Sequence, residues 1–156
     1  MATGAAREVE QNAGKYLTFV LAEEEYGLEI LKVREIIGMM DITAVPRTPN
    51  HVKGVINLRG KVIPVIDLRQ KFGMPEVERT EETCIIVVYV GEMEMGIVVD
   101  RVSEVLNIAE GEIEEAPSFG VSANTDFILG MGKANGRVEI LLDISKVLAG
   151  TEVLDG

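Results

Sequence analysis

Few residues of this sequence have the types and spacing that catalysis or metal binding needs. His51 is the only histidine and Cys84 is the only cysteine. A metal site needs several histidine, cysteine or carboxylate ligands at regular spacing, and His51 has no such companions, as is typical of a solvated loop residue. Cys84 opens an apolar run with no neighbouring base or cation, so we expect an inert, partly buried thiol.

Other stretches resemble parts of active sites without completing them. GMGKANGR has the glycines of a phosphate loop, but it lacks Gly-Lys-Ser/Thr and a strand follows where a helix should begin. Asp67 and Asp143 stand where strand-like runs give way to helical ones, and an N-cap role explains both. Glu23, Glu24 and Glu25 read as a solvated face, as do Glu112, Glu114 and Glu115. The sequence therefore predicts no enzyme, no metal and no cofactor.

Arg59 is the charged residue whose position asks for an explanation. In VINLRGKVIPVIDLR, residues 55–69, two apolar runs flank a polar insert, which predicts a hairpin with Arg59-Gly60 at its tip. A type I′ turn favours Asn-Gly and gives arginine no advantage. We therefore expect a type II turn with Gly60 at the third position, which tolerates arginine. Since the turn does not call for arginine, its side chain is a candidate for recognition.

The elements that must position these residues read as short strands. β-branched runs separated by Gly, Asn and Pro predict an all-β barrel or sandwich. Pro64 indicates an edge strand or a bulge. Short helices are expected after Asp67, where D-x-x-Q resembles a capping box ahead of Gly73, and over residues 143–149. The strand-like runs are residues 16–21, 26–31, 52–58, 62–66, 84–90, 95–99, 127–131 and 138–142.

The segment EILKVREII, residues 29–37, reads as a short amphipathic turn after a hairpin. Its apolar residues are Ile30, Val33 and Ile37, with charged residues between them. The pattern leaves two hypotheses open. All three apolar side chains face the core, or some of them contact a partner.

The chain also repeats itself. A shift of 69 places LAEEEYGLEILKVREII on VGEMEMGIVVDRVSEVL, and a shift of 76 places GVINLRGKVIPVIDLRQKFG on GMGKANGRVEILLDISKVLA. The change of shift means about seven extra residues around APSFGVSANT. We predict two similar small barrels, residues 15–73 and 83–150, between a disordered tail (1–14) and a second tail (151–156), with chance similarity of strand patterns as the alternative. Opposite Arg59-Gly60 stands Asn135-Gly136, the preferred hairpin pair.

The composition narrows the class of protein. A hydrophobic content of 47% predicts a packed core. The net charge of −11 disfavours nucleic acid and anionic membrane surfaces as partners. The longest apolar run, residues 84–90, is much shorter than the about 20 residues of a membrane span. The start shows no secretory signal, so a cytoplasmic protein is expected.

Four stretches of the sequence resemble the CheW-like family of bacterial chemotaxis coupling proteins. The resemblance lies in EEEYGLEILKVREI, VKGVINLRGKVIPVIDLRQKFG, MGIVVDRVSEVL and EAPSF and covers about residues 15–150. It implies two five-stranded SH3-like β-barrels around a shared hydrophobic core. It also implies a non-catalytic adaptor that couples the cytoplasmic tips of chemoreceptors to the regulatory domain of the histidine kinase CheA, at receptor arrays on the inner face of the membrane. Such an adaptor is a monomer alone and forms rings in the array. An enzyme on a small barrel scaffold and a small-ligand binding module are the alternatives.

The resemblance also assigns residues to each partner. Receptor contacts are implied for Val33, Glu35, Gly54, Asn57 and Arg59, and Ile30 would join Val33 on the floor of a groove that takes an amphipathic helix. Kinase contacts are implied for Thr83, Cys84 and Val102, with Phe119 at the other ring contact. Glu114 departs from relatives that carry a basic residue there.

Overall fold

The computed structural model describes residues 14–117 and 125–149 and is mainly β, as predicted. Apart from Gly14, the two predicted tails lie outside the described residues. Within them, α1 (Leu68–Lys71) and α2 (Ile144–Val147) are the α-helices, and 3₁₀ turns cover Ile30–Lys32 and Glu110–Glu112. The strands are β1 (Lys15–Leu21), β2 (Glu24–Glu29), β3 (Val33–Gly38), β4 (Val52–Leu58), β5 (Lys61–Asp67), β6 (Cys84–Val90), β7 (Met93–Val99), β8 (Arg101–Asn107), β9 (Ile113–Glu114), β10 (Ile128–Ala134) and β11 (Arg137–Leu142).

The strands form two SH3-like barrels whose membership corrects the predicted division into residues 15–73 and 83–150. Barrel 1 has the strand order β3-β6-β7-β5-β4, and barrel 2 has the order β8-β1-β2-β11-β10-β9. Each barrel therefore takes the first hairpin of one half and the later strands of the other half. The cause is parallel pairing of β5 with β7 and of β11 with β2, which joins residues far apart in sequence. Barrel 1 has the expected five strands, and barrel 2 adds the two-residue β9.

The internal repeat is confirmed element by element. A shift of 69 carries β1, β2 and β3 onto β6, β7 and β8, and a shift of 76 carries β4, β5 and α1 onto β10, β11 and α2. The parallel pairs correspond as well, since Val65 faces Gly96 in barrel 1 and Leu141 faces Gly27 in barrel 2. The extra residues lie where they were predicted, in the connection 108–127, which is longer than its counterpart 39–51.

Apolar side chains from both barrels fill one shared core. It continues into the helices through Leu68, Ile144, Val147 and Leu148. A second, smaller cluster fills the interior of barrel 1. Because the larger cluster belongs to both barrels, the two barrels are packed as one unit. The strand residues of the shared core are Leu17, Phe19, Leu21, Tyr26, Leu28, Val52, Ile66, Cys84, Ile86, Val88, Met95, Ile97, Val99 and Leu142.

The predicted helix starts are confirmed at both N-caps. Asp67 Oδ1 accepts a hydrogen bond from the Gln70 amide at 3.3 Å, and Asp143 Oδ1 accepts one from the Lys146 amide at 3.2 Å. Gly73 follows α1 with a φ of +73°, as expected of a helix-terminating glycine. Local residue types determine these features, which is why the sequence predicts them.

One local prediction holds only for its first residues, and another was wrong. The segment read as an amphipathic turn forms a 3₁₀ turn and then β3, whose residues alternate between half-buried and exposed. Pro64 lies neither on an edge strand nor at a bulge of β5, which is flanked by β7 and β4. β7 pairs only with Val65, Ile66 and Asp67, so at Pro64 only β4 pairs with β5. The missing N–H is tolerated there.

No helix in the described part of the chain is long and apolar enough to cross a membrane.

Candidate functional site

The hairpin tip between β4 and β5 holds Arg59 in a left-handed conformation. Leu58 pairs with Lys61, so Arg59 and Gly60 form a two-residue turn with φ values of +52° and +86°. Positive φ at both positions makes the turn type I′, and the expected type II turn was wrong. Left-handed backbone costs an L-residue about 1 kcal/mol. Asn57 Oδ1 accepts a hydrogen bond from the Gly60 amide at 2.9 Å, which supports the turn.

Arg59 reaches from this tip to Glu35. The Arg59 guanidinium donates a hydrogen bond to the Glu35 carboxylate on β3. The Arg59 side chain is 60% exposed and therefore stays open to a partner. Two residues that the sequence assigned to one receptor surface are thus in direct contact, although 24 positions separate them.

A second carboxylate, which sequence reasoning missed, completes the group. Glu94 on β7 forms ion pairs with Arg34, at 2.7 Å, and with Lys61. Its side chain is only 7% exposed. The hydrogen bond from Lys61, followed by the charges of Arg34 and Lys61, lowers the pKa of Glu94 against the opposing effect of desolvation. We call Arg34, Glu35, Arg59, Lys61 and Glu94 the Arg59 cluster; it holds three cations and two carboxylates.

The Arg59 cluster borders a pocket of about 420 Å³. Tyr89 lines the pocket and is partly exposed, and Val62 is exposed next to Lys61. Glu92 also lines the pocket, so the hairpin tip offers apolar surface beside exposed cations that are balanced by carboxylates. An amphipathic segment with a carboxylate at its edge is the kind of ligand that fits this combination.

The apolar residues of the amphipathic segment separate into two groups. Ile30 and Val33 are half-buried and pack against the shared core, and Ile37 packs against the interior cluster of barrel 1. Leu31 and Ile36, which the sequence did not single out, are the exposed members. Ile30 and Val33 can therefore form at most the floor of a binding groove, with Leu31 and Ile36 nearer to solvent.

Gly54 has a structural reason for being glycine. It is buried in β4 with a φ of +140°, and an added Cβ would overlap the Thr43 carbonyl oxygen. Thr43 and Val55 exchange two backbone hydrogen bonds at 2.9 Å, which holds the connection 39–51 against β4. A side chain at Gly54 would displace that connection, so substitution acts on the fold.

The residues predicted to face the kinase were expected on the second barrel, but they fall on both barrels. Thr83 precedes β6 and Cys84 opens it in barrel 1, whereas Val102 lies on β8 of barrel 2. Cys84 is 9% exposed and belongs to the shared core. Burial raises the pKa of this thiol, which agrees with the expected inert cysteine. Thr83 Oγ1 accepts a hydrogen bond from the Thr80 amide at 2.8 Å. Phe119 lies outside the described residues.

Val33 and Val102 occupy matching places in the two barrels. They are 69 positions apart, on β3 and β8, and both are half-buried and packed against the shared core. β3 and β8 each stand at one end of their strand orders. The two predicted contact surfaces are thus counterparts within the internal repeat.

The burial of three further polar residues can be compared with the expectations, and two of them are more buried than expected. Glu25 is buried and pairs with Arg137 at 3.1 Å, so the expectation of a solvated face was wrong for this residue. His51 is half-buried, and burial lowers its pKa. Glu114 is exposed, as expected, and forms an ion pair with Lys133 on β10. In the part of the chain that the structure describes, no group of three or more potential ligands is placed to hold a metal ion.

Comparisons with known proteins point to the same family that the sequence resembles. The family model described as CheW-like domain matches residues 15–152. The chemotaxis protein CheW of Klebsiella aerogenes is 45% identical over 89% of this chain and 84% of that protein. The protein of the same name from Helicobacter pylori is 34% identical over 93% and 87%. The crystal structure of the scaffolding protein TtCheW from Thermoanaerobacter tengcongensis matches 87% of this chain and 92% of that chain, with a TM-score of 0.80 and 38% identity.

Proposed function

The chain belongs to the CheW-like family of chemotaxis adaptors, and from this membership we propose that it couples chemoreceptor tips to the regulatory domain of the histidine kinase CheA. It does so in the cytoplasm, without catalysis, as a monomer that joins kinase domains in rings at receptor arrays. Barrel 1 contacts the receptor through the Arg59 cluster and the segment around Val33. The kinase contacts the surface around Val102 on barrel 2, together with Thr83 and Cys84 at the start of β6 in barrel 1.

The observation that carries the receptor contact is the conformation of Arg59. A hairpin that needs positive φ at this position would favour asparagine, which is the residue that barrel 2 has at Asn135. Backbone strain at a side chain open to solvent points to a role for that side chain outside the turn. A receptor tip is a helical hairpin, and a carboxylate on it would compete with Glu35 for the Arg59 guanidinium.

The proposed kinase contact rests on the repeat and on the family. Val102 is the counterpart of Val33, so each barrel offers the same edge to a different partner. Thr83 and Cys84 border Val102, and Cys84 is too buried to give more than its backbone and a small part of its side chain. Phe119 supplies the second ring contact, and the Lys133–Glu114 ion pair modifies the charge pairing expected there. Each contact is modest, and the many copies in an array provide the avidity.

The proposal is tested by co-sedimentation of the full chain with a receptor signalling fragment and with the kinase, together with kinase ATP consumption. We expect a ternary complex. Arg59→Asn should weaken receptor binding about tenfold while kinase binding is unchanged, because a charge-assisted hydrogen bond contributes about 1.5–3 kcal/mol. Asn135→Asp is the matched control, since it changes charge at the equivalent tip of barrel 2 and keeps a residue that tolerates positive φ.

Two outcomes would contradict this assignment. If the chain forms no complex with either partner, the adaptor function is wrong and the small-ligand or enzyme hypothesis gains. If Arg59→Asn and Asn135→Asp weaken receptor binding equally, the receptor does not distinguish the two hairpin tips, and the assignment of barrel 1 fails.

A further inference from the structure

At two matched positions barrel 2 buries two carboxyl groups where barrel 1 buries one, apart from the N-cap Asp67 of barrel 1. Glu139 on β11 is 1% exposed, and Glu25 on β2 is 6% exposed. By the shift of 76, the counterpart of Glu139 is Ile63, which is equally buried. By the shift of 69, the counterpart of Glu25 is Glu94. Barrel 2 therefore has an additional buried acid at a position that barrel 1 fills with an aliphatic side chain.

The additional acid has no additional cation. Arg137 Nη2 lies 3.1 Å from Glu25 Oε2 and corresponds to Lys61. The second cation of barrel 1, Arg34, corresponds to Ser103. The remaining charged group that acts on the pair is Glu104 on β8, which is another acid. Among the described residues, two buried carboxyls thus share a single arginine.

Neutral donors do not compensate for the missing cation. The nearby Thr18 hydroxyl donates to the Glu104 carbonyl oxygen at 2.8 Å and accepts from the Glu104 amide at 3.1 Å. Glu25 and Glu139 precede a paired position of two adjacent parallel strands, so their carboxyls lie side by side, and any hydrogen bond between them requires a proton on one of them. Glu139 Oε2 is buried without a hydrogen-bond partner in the described structure. A fully ionised pair would leave this oxygen charged and unsatisfied, which is costly.

Burial and the neighbouring charges also favour a proton on the pair. Burial is the largest effect, followed by the hydrogen bond and the charge of Glu25, and together they raise the pKa of Glu139 to about 7. Arg137 opposes the shift, and Glu104 adds to it. Two interacting carboxyls of this kind release their protons in separate steps that belong to the pair.

The pair lies at the start of the parallel contact between β2 and β11, in the middle of the strand order of barrel 2. Glu25 and Glu139 immediately precede Tyr26 and Ile140, the first residues paired in parallel between β2 and β11. This short parallel contact joins the N-terminal hairpin to the C-terminal strands. Repulsion between two carboxylates would act directly on it.

We propose that Glu25 and Glu139 form a proton-dependent latch in barrel 2, which is closed while the pair holds one proton and loosens when that proton is released. Glu139 binds its proton more tightly in the folded state than in the unfolded chain. It therefore stabilises the folded state fully below pH 4.5, which is its unfolded pKa. That contribution is lost as the pH rises through about 7. The latch would therefore weaken on the alkaline side of neutral.

The test measures urea unfolding of the full chain between pH 5.5 and 8.0 for the wild type and for Glu139→Gln. The ratio of their folding equilibrium constants, wild type over variant, should fall by about 30-fold across this range, since the pKa of Glu139 is 4.5 in the unfolded chain and about 7 in the folded protein. Comparing the two proteins cancels His51, whose lowered pKa gives the opposite slope in both. A ratio that changes by less than about twofold would overturn the proposal.

Two further variants keep the test decisive. Glu139→Ile copies barrel 1 and should show the same loss of pH dependence if the glutamine variant does not fold. Glu94→Gln is the control, because it removes the equivalent acid of Glu25 from a site that has two cations, and its ratio to wild type should stay flat over this range.

Amide hydrogen exchange locates the effect. After correction for intrinsic rates, raising the pH should increase exchange in β2 and β11 of the wild type, and the increase should be absent in Glu139→Gln. An equal increase in β5 and β7 of barrel 1 would show a general pH effect and would refute a latch at Glu25 and Glu139.

Discussion

Barrel 1 surrounds its hairpin tip with three cations and two carboxylates, whereas the equivalent positions of barrel 2 hold one cation and three carboxylates. The strands and turns of the two tips correspond almost residue by residue, and both turns have two residues with positive φ. The repeat therefore preserved the backbone and changed the charges. The matched positions are Arg34, Glu35, Arg59, Lys61, Ile63 and Glu94 in barrel 1 and Ser103, Glu104, Asn135, Arg137, Glu139 and Glu25 in barrel 2.

This difference separates what the fold requires from what each surface does. The features that both barrels share, such as the type I′ turns and the aspartate N-caps, are needed to form a barrel of this kind. The features that differ act on top of the same scaffold. The tip of barrel 1 exposes an arginine in a strained backbone conformation. The tip of barrel 2 has an Asn-Gly turn, which adopts the same conformation at less cost, and a buried pair of carboxyls on β2 and β11.

The largest expected effect compares two matched glycines, one on β4 of barrel 1 and one on β10 of barrel 2. Gly54 and its counterpart Gly130 both lie against a neighbouring segment, but only Gly54 has a positive φ. Gly54→Ala should cost about 3 kcal/mol, because it combines backbone strain with overlap of the Thr43 carbonyl. Gly130→Ala should cost about 1–2 kcal/mol, since the two-residue β9 can move away from a Cβ that lies 2.6 Å from Ile113 Cγ2.

Urea unfolding of both alanine variants measures these costs. Receptor binding by Gly54→Ala should fall only in proportion to the folded fraction, because Gly54 is buried and contacts the chain itself. Equal costs at the two glycines would contradict the distinction. Lost receptor binding in a fully folded Gly54→Ala would restore a direct contact role for this residue.

An intermediate effect tests whether the matched edges serve different partners. Val33→Ser and Val102→Ser each remove one methyl group and replace the other with a hydroxyl where the valine packs against the shared core, and each should cost about 1–2 kcal/mol. Their effects on binding should separate, with receptor binding reduced only by Val33→Ser and kinase binding only by Val102→Ser. Isothermal titration with each partner measures this. If both variants weaken the same partner, the division of partners between β3 and β8 is wrong.

The sequence predicted the features that neighbouring residues determine and missed those that depend on how the barrels close. Asp67, Asp143 and the hairpin tips were found because caps and turns depend on adjacent residues. The exchange of hairpins between the halves depends on the parallel contact of β11 with β2, which no local pattern indicates. Glu25 stands in a run of three glutamates that reads as solvated, although the strand alternation puts it on the same side as Gly27.

The candidate site was predicted in part for the same reason. The resemblance brought Glu35 and Arg59 to one surface, and the structure places them in contact. Arg34, Lys61 and Glu94 were missed because their pairing joins three strands of barrel 1. The signal for Glu94 was its alignment with Glu25, since an acid present in both halves at the same strand position calls for a common role.

A smaller effect tests the strain at the tip of barrel 1. Arg59→Asn should stabilise the protein by about 0.5–1 kcal/mol, because asparagine adopts the left-handed conformation at less cost than arginine. The exchange in the opposite direction, Asn135→Arg, should destabilise it by a similar amount. Losing the exposed Arg59–Glu35 pair offsets little of the gain, since such pairs contribute about 0–1 kcal/mol. Urea unfolding at pH 7 and high salt gives both values, and a destabilised Arg59→Asn would mean that the strain is not significant.

The smallest effect at neutral pH concerns the opposite pH dependence of the two barrels. The pKa of Glu94 is lowered by Lys61 and Arg34, so its contribution to stability is complete above its ordinary value of 4.5 and is lost as the pH falls below it. The pair in barrel 2 should instead lose its contribution as the pH rises through neutral. Hydrogen exchange in the Arg59 cluster should therefore increase in acid, and in β2 and β11 it should increase in mild alkali. Glu94→Gln should remove only the acid response. If acid loosened both barrels alike in the wild type and in Glu94→Gln, the different charges at the two tips would have no separate effect on stability.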